Sequence, residues 1–320
     1  MRDKTGGASD AEAITAEAKR LLGSRVPADL RRAGELLAAA DEKGSGEAAA
    51  LIAYLIGAEA ADAAIWPHAL GYLKHAAELN FEAAQQQLSA LAGRNAAAFR
   101  DDASDRWQSL RASVDIAGWL KPPPLSVLSG TPHIATVQDF LPPEICDWIA
   151  ARARPRLGPA RVFYRATGQA AVDPARTNSA AEFDILSTDL VFQLVRARIA
   201  AASGFAPRAL EDTNVLHYEV GQQFNRHFDF LDPAVPGYAE EIARGGQRVA
   251  TFLIYLNDDF DGAETEFPLL GIRHRGKKGD ALFFRNVEPS GALDRKTLHA
   301  GLAPKAGEKW LLSQWIRGKG

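Results

Sequence analysis

Apolar and polar residues alternate in two different ways along this 320-residue chain. In the first third, runs rich in alanine and leucine are broken by short turns containing Gly or Asn, and residues 33–42 realign with residues 69–78 at an offset of 36. Each run passes through its turn into a Glu-Ala-Ala sequence, Glu47-Ala48-Ala49 and Glu82-Ala83-Ala84, which predicts a helix-turn-helix unit of solenoid length. Two such units bury too little surface alone, so flanking helices over residues 11–22 and near 102–120 are expected to cap them. From residue 213 onward the period changes. Residues 213–220, 247–256, 280–285 and 309–317 are short β-rich runs separated by Gly, Pro and Asp. A double-stranded β-helix, or jelly roll, folds such a series compactly around an interior that can hold a small ligand.

Composition sharpens the division. Residues 1–121 hold 32 alanines and only two prolines, Pro27 and Pro67, whereas the other 15 prolines fall in the remaining 199 residues. Alanine is the best helix former and proline the worst, and Lys121-Pro122-Pro123-Pro124 cannot continue a helix, so the boundary is placed there. The expected architecture is α+β and multidomain. It comprises a flexible N-terminus over 1–10, an all-α helical repeat domain over 11–120, a Pro-rich linker over 121–132 and a jelly-roll domain over 133–320. Helices near 144–154 and 188–202 are expected to buttress its larger sheet.

Charge and hydropathy then remove whole classes of partner. Lys+Arg 37 nearly balance Asp+Glu 40, and the one dense basic run, Arg273-His274-Arg275-Gly276-Lys277-Lys278, is flanked by turn residues and reads as a hairpin tip. No nucleic-acid partner is expected. The longest near-apolar stretch, residues 48–58, is far too short to span a bilayer, and the polar amino terminus lacks the apolar core of a secretory signal. Cys146 is the only cysteine and cannot form an internal disulfide, so the expected compartment is cytoplasmic, with no membrane partner.

The candidate chemistry lies in the second half. His-x-Asp/Glu on a strand puts an imidazole and a carboxylate on one face, which supplies two ligands of a 2-His-1-carboxylate iron site. Two such pairs are present, His217-Tyr218-Glu219 and His227-Phe228-Asp229, and about one is expected by chance, so spacing does not choose between them. The wider text does. The stretch Tyr218-Glu-Val-Gly221-Gln222-Gln-Phe-Asn-Arg-His227-Phe-Asp229 resembles the signature of prolyl 4-hydroxylase-type, 2-oxoglutarate-dependent iron oxygenases. Further resemblance runs in order through Gly245-Gly-Gln-Arg248-Val-Ala-Thr251, Tyr255-Leu-Asn257, Gly262-Ala-Glu-Thr265-Glu-Phe-Pro268, Lys278-Gly-Asp-Ala-Leu-Phe-Phe284, Leu298-His299-Ala-Gly301 and Gly307-Glu-Lys309-Trp310. Upstream, Phe140–Cys146 and Arg176-Thr-Asn-Ser179 also resemble that family, and residues 72–85 of the helical half resemble Sel1-like relatives of tetratricopeptide repeats.

The resemblance implies His227, Asp229 and His299 as iron ligands and catalytic centre, with Lys309 binding the far carboxylate of 2-oxoglutarate. It also implies Tyr218, Thr265 and Trp315 lining the same pocket, and Arg248 as a substrate contact near the iron. The implied cofactors are Fe(II), 2-oxoglutarate and O2, with ascorbate as a candidate reductant. Asp229 fills the site that a halogenase would vacate for chloride, so hydroxylation of an unactivated C–H bond is expected, with 2-oxoglutarate decarboxylated to succinate and CO2. The expected substrate is a prolyl or other residue of a peptide or protein, engaged through the helical repeats. Two alternatives remain at this stage: a hydroxylase of small molecules, and a non-catalytic repeat protein carrying a relic barrel. His217-Tyr218-Glu219 is expected to be structural, because His217 and Glu219 have the opposite parity to Tyr218 and face away from the pocket.

Overall fold

The computed structural model describes residues 4–24, 26–58, 60, 62–93, 105–164 and 169–318. The chain divides into two compact units, one comprising Met1–Lys121 with Phe183–Arg198, the other Pro122–Glu182 with Ile199–Gly320.

The first unit is helical: α1 Lys4–Ser24, α2 Pro27–Glu42, α3 Gly46–Ala58, α4 Trp66–Glu78, α5 Glu82–Ala92, α6 Arg106–Ser113 and α7 Ile116–Trp119. The offset of 36 seen in the sequence reappears in the packing. Ala33, Leu37 and Ala40 on α2 are fully buried, and so are Ala69, Leu73 and Ala76 on α4. Even the turns correspond: Gly44 at φ 86° follows α2, and Asn80 at φ 62° follows α4. Glycine and asparagine tolerate this left-handed backbone, which is why the two helix-turn-helix units close alike. α1 begins at Lys4, so most of the expected flexible N-terminus is helical. Its N-terminal residues 1–3, and residues 102–104 of the second expected cap, lie outside the described residues.

The second unit is built of antiparallel strands. In chain order they are β1 Ser126–Gly130, β2 His133–Val137, β3 Gly158–Pro159, β4 Arg161–Tyr164, β5 Gln169–Val172, β6 Ser179–Phe183, β7 Thr213–Tyr218, β8 Phe224–His227, β9 Gln247–Tyr255, β10 Asp261–Gly262, β11 Thr265–Phe267, β12 Ile272–His274, β13 Ala281–Arg285, β14 His299–Gly301, β15 Pro304–Ala306 and β16 Lys309–Gly318. The major sheet has the order β1-β2-β13-β9-β16-β7-β6-β3, and the minor sheet β12-β11-β14-β8. Together they form the jelly roll. Leu216, Leu253, Leu282, Phe284 and Leu311 from the major sheet pack with Phe267 of the minor sheet in one buried cluster. Alternation along each strand sends these side chains inward and their neighbours to the opposite face. There α8, Pro143–Ala153, lies against the outer side of the major sheet, with the Cys146 thiol 3.9 Å from the Tyr255 carbonyl.

Two boundaries differ from the sequence expectation. The expected linker over 121–132 contains strand β1, which pairs in register with β2. The expected helix over 188–202 is α9, Leu190–Ser203, and its residues up to Arg198 group with the helical unit instead of the sheet. A physical reason is visible within that unit, where the Leu190 amide donates to Gln87 Oε1 at 3.1 Å and a Cβ on Gly57 would meet Leu190 Cδ1 at 2.6 Å.

The basic run 273–278 is engaged within the chain. Arg273 pairs with Glu266 at 2.7 Å, Lys278 with Asp147 at 2.6 Å, and Arg275 stacks over Phe260. No helix among the described residues is long and apolar enough to cross a membrane.

Candidate active site

Register brings the two histidines together. β14 pairs with β8 so that His299 stands directly opposite His227, and Asp229 follows two residues later on the same side of the chain. One ligand-capable atom of each of His227, Asp229 and His299 lies within 4.8 Å of the others. The Nε2 atoms of His227 and His299 are each 3.6 Å from an Asp229 carboxylate oxygen.

Both imidazoles are oriented from behind. His227 Nδ1 donates to the Asn225 carbonyl at 2.7 Å and His299 Nδ1 to the Thr297 carbonyl at 3.0 Å. A carbonyl only accepts, so Nδ1 carries a proton in each ring and Nε2 is the ring atom turned toward Asp229. Aromatic rings hold the planes: Phe224 stacks on His227 with centroids 3.5 Å apart, and Phe284 meets His299 edge-on at 4.9 Å.

The electrostatics suit a cation. Burial works against the Asp229 charge, yet His299, His227 and the Thr251 hydroxyl together hold its carboxyl well below the usual carboxylate range, so it is ionised. Burial, reinforced by His227, lowers His299 to about 4, so its imidazole is neutral near pH 7. Two imidazoles and one carboxylate on one side of a cavity are the donor set of a facial ferrous site, and these residues fit that ion.

Across the cavity the major sheet supplies a cation. Lys309 opens β16 opposite Tyr218 on β7, and both face inward with Leu311, Ser313 and Trp315. Lys309 is 1% exposed, its ammonium donates to the Ala263 carbonyl at 2.8 Å, and it forms no ion pair among the described residues. Ala263, at φ 56°, takes the left-handed backbone that turns this carbonyl inward. Burial pulls the Lys309 ammonium down to about 7, against a smaller opposing effect of Glu264. Such a group takes an anion readily, because a carboxylate partner restores the charge that burial removes.

Tyr218 and Thr265 complete this end. Burial pushes the Tyr218 phenol up to about 12, so it stays protonated. Gly301 leaves room for it, since a Cβ there would lie 3.1 Å from the Tyr218 hydroxyl. Tyr255, which the sequence reading did not single out for the pocket, bonds Thr265 at 3.1 Å and the His274 carbonyl at 3.1 Å.

His227, Asp229, His299, Lys309, Tyr218, Thr265 and Trp315 therefore line one cleft of about 410 Å³, counted with the part open to solvent. Arg248 does not line it. Its guanidinium makes a two-pronged pair with Glu211 at 2.7 and 3.0 Å and stacks over the Trp315 ring at 3.7 Å. Arg176, quoted only for its resemblance, does line the cleft, 8% exposed and stacked over Phe224 at 4.6 Å. Thr251 is a second residue the sequence reading missed, donating to Asp229 Oδ2 at 2.6 Å. Nothing in a single sequence separates a buried arginine or threonine from a surface one.

The other His-x-Glu pair lies on the opposite face of β7. His217 Nε2 is 2.6 Å from Glu308 Oε2 and its ring stacks on Trp310, so its partner is Glu308, not Glu219.

Comparison with known proteins gives concordant findings. Residues 213–317 match the model of the 2OG-Fe(II) oxygenase superfamily. Prolyl 4-hydroxylase 1 of Arabidopsis thaliana is 34% identical over 247 residues, covering 72% of this chain and 84% of that protein. Probable prolyl 4-hydroxylase 9 of the same plant is 31% identical over 212 residues, covering 61% and 72%. Among solved structures, the viral collagen prolyl hydroxylase of Paramecium bursaria Chlorella virus-1, as its 2OG complex, is 27% identical over 58% of this chain and 96% of that one, with a TM-score of 0.44.

Proposed function

This chain belongs to the prolyl 4-hydroxylase family of 2-oxoglutarate- and Fe(II)-dependent oxygenases, and from that premise we propose that it hydroxylates a prolyl residue of a peptide or protein at the cleft between its two sheets. It is a dioxygenase using Fe(II), 2-oxoglutarate and O2. When bound, iron and 2-oxoglutarate supply the oxidation: O2 converts the 2-oxo acid to succinate and CO2 and places one oxygen atom on a substrate C–H bond.

The chain's own residues bind, orient and exclude. His227, Asp229 and His299 would hold the iron, and Lys309 the far carboxylate of 2-oxoglutarate. Tyr218 keeps a proton for that carboxylate. Tyr255 donates its proton to the His274 carbonyl and accepts from the Thr265 hydroxyl, until an anion competes for the Thr265 proton. Leu216, Leu253 and Leu311 keep water away from the bound cosubstrate, which strengthens each charged contact. Trp315 and Arg176 border the cleft where a substrate would enter. The single observation that carries this reading is a buried ammonium, without an ion-pair partner among the described residues, facing a two-imidazole, one-carboxylate cluster across one cleft.

The helical unit is read as a Sel1-like repeat surface for an extended partner. The buried lone Cys146 suits a cytoplasmic protein, and ascorbate suits a role in keeping the iron reduced. The test is a screen of proline-containing peptides against a pool of free amino acids and metabolites, with Fe(II), 2-oxoglutarate and O2, scoring one added oxygen by mass spectrometry. His227→Ala is the blank. A prolyl product absent from the blank supports the reading. Oxygen added only to free metabolites refutes the peptide assignment, and equal turnover by the blank refutes the site.

A further inference from the structure

Behind Asp229 stand two polar side chains to which the chemistry above gives no task. Thr251 is on the inward face of β9 and Asn286 follows β13, and both are fully buried. The Thr251 hydroxyl donates to Asp229 Oδ2 at 2.6 Å. A hydroxyl has one proton, so toward Asn286 it can only accept, and the Asn286 amide nitrogen donates to it at 3.1 Å. That requirement selects the orientation of the amide: the flipped form would set oxygen against oxygen with no proton between them.

The consequence is a cost. Asn286 Oδ1 is left in the interior with no hydrogen-bond partner among the described residues. An apolar residue of the same size would avoid that burden, so packing alone does not account for an asparagine here. The backbone pins the position as well, with the Asn286 amide donating to the Val249 carbonyl at 2.8 Å and its carbonyl accepting from Asp294 at 3.1 Å.

We infer that Asn286 and Thr251 form a positioning relay that locks the rotation of the Asp229 carboxylate and so sets the affinity of the cluster for its metal. This rests on reading His227, Asp229 and His299 as a metal site. A carboxylate held by one donor from behind presents its oxygens to the two Nε2 atoms at one angle, whereas an unrestrained one samples several and binds less tightly. Asn286 acts at one remove. By donating to Thr251 it keeps the threonine hydroxyl from rotating its proton away from Asp229.

The test uses the full chain and Mn(II), a redox-stable probe of the ferrous site, titrated by calorimetry without 2-oxoglutarate and followed by the electron paramagnetic resonance of bound Mn(II). Thr251→Val is expected to bind roughly 10–100-fold more weakly than wild type. Thr251→Ser, which keeps the hydroxyl, restores most of that loss. Asn286→Leu weakens binding in the same direction but by less, while its metal-free melting midpoint stays at or above that of wild type because the unpaired oxygen is gone. Affinities are compared well below each melting midpoint, where a loss of global stability alone leaves them unchanged. Wild-type affinity in Thr251→Val, or no rescue by serine, overturns the relay. Absence of Mn(II) binding by the wild-type chain overturns the metal site itself and the relay with it, so the two failures are distinguishable.

Discussion

Replacing Lys309 by methionine should stabilise the metal-free protein while abolishing its response to 2-oxoglutarate. The side chain is 1% exposed, and its ammonium falls from an ordinary 10.5 to about 7 on folding. At about 1.36 kcal/mol per pH unit, that difference is a folding penalty of at most ~5 kcal/mol. Below pH 7 the lysine is protonated both folded and unfolded, and the whole penalty applies. Between pH 7 and 10.5 the unfolded chain holds the extra proton, so wild-type stability rises with pH. Above 10.5 the penalty is gone. At pH 9 about 2 kcal/mol remains, so the advantage of Lys309→Met over wild type shrinks by roughly 3 kcal/mol between pH 6 and pH 9. Methionine fills a similar volume without a charge, and its packing contribution does not change with pH. Urea unfolding with a chelator present, followed by circular dichroism at the two pH values, measures the difference directly. Adding 2-oxoglutarate to the Mn(II)-loaded protein should raise the wild-type midpoint further, whereas the variant should stay where Mn(II) alone puts it. A pH-independent gap, or a variant less stable than wild type at pH 6, would show that Lys309 is not a buried cation waiting for an anion.

Three further substitutions probe the rest of the cleft. His227→Ala removes one of the two Nε2 donors and should abolish both Mn(II) binding and succinate formation, read by calorimetry and by coupled assay. Arg248→Ala should leave uncoupled 2-oxoglutarate turnover in place but weaken hydroxylation of the peptide, because Trp315 loses the guanidinium stacked on it. Its stability should drop by only about 1–3 kcal/mol, since Arg317 still pairs with Glu211. Equal loss of both activities would refute that role. Arg176→Leu should raise the KM for peptide several-fold while leaving the Mn(II) affinity unchanged, as expected of a cation that lines the cleft and lies outside the cluster of donors.

How much of this was legible before the structure depends on what kind of signal each residue leaves. Strand alternation predicts that Lys309, Leu311, Ser313 and Trp315 share a face, and they do line one cleft. The donors His227, Asp229 and His299 emerged from motif order, because their meeting depends on the β8–β14 register, which local sequence does not encode. Residues whose role is purely contextual left no trace. Thr251 looks like any β-branched strand residue, and Asn286 like any polar residue at a strand end. Arg248 is the reverse case: its motif suggested a substrate contact, and nothing in that motif announced the pairing with Glu211, 37 positions away, that the structure shows. The linker failed for a related reason. Three prolines announce the end of a helix, but the short, mostly exposed β1 that follows carries too few apolar positions to declare itself a strand.

The charges of the cleft explain why metal and cosubstrate belong together. Asp229 contributes a negative charge, Arg176 a positive one, and Lys309 is close to half protonated near pH 7. A divalent cation alone would leave the cleft with a surplus of positive charge and a dicarboxylate alone with a smaller surplus of negative charge; either imbalance is costly where the dielectric is low. Added together they cancel, and the dianion also draws a proton onto Lys309. The first ligand thus lowers the cost of the second, and by linkage the second strengthens the first by the same factor. The two sheets divide this work. Strands β8 and β14 of the minor sheet bring the three candidate metal donors together, while β16 and β7 of the major sheet present the ammonium and phenol that would receive an anion. A cavity arranged this way would bind each ligand more tightly once the other is present, so the same electrostatics that admit a metal alone favour the complete site.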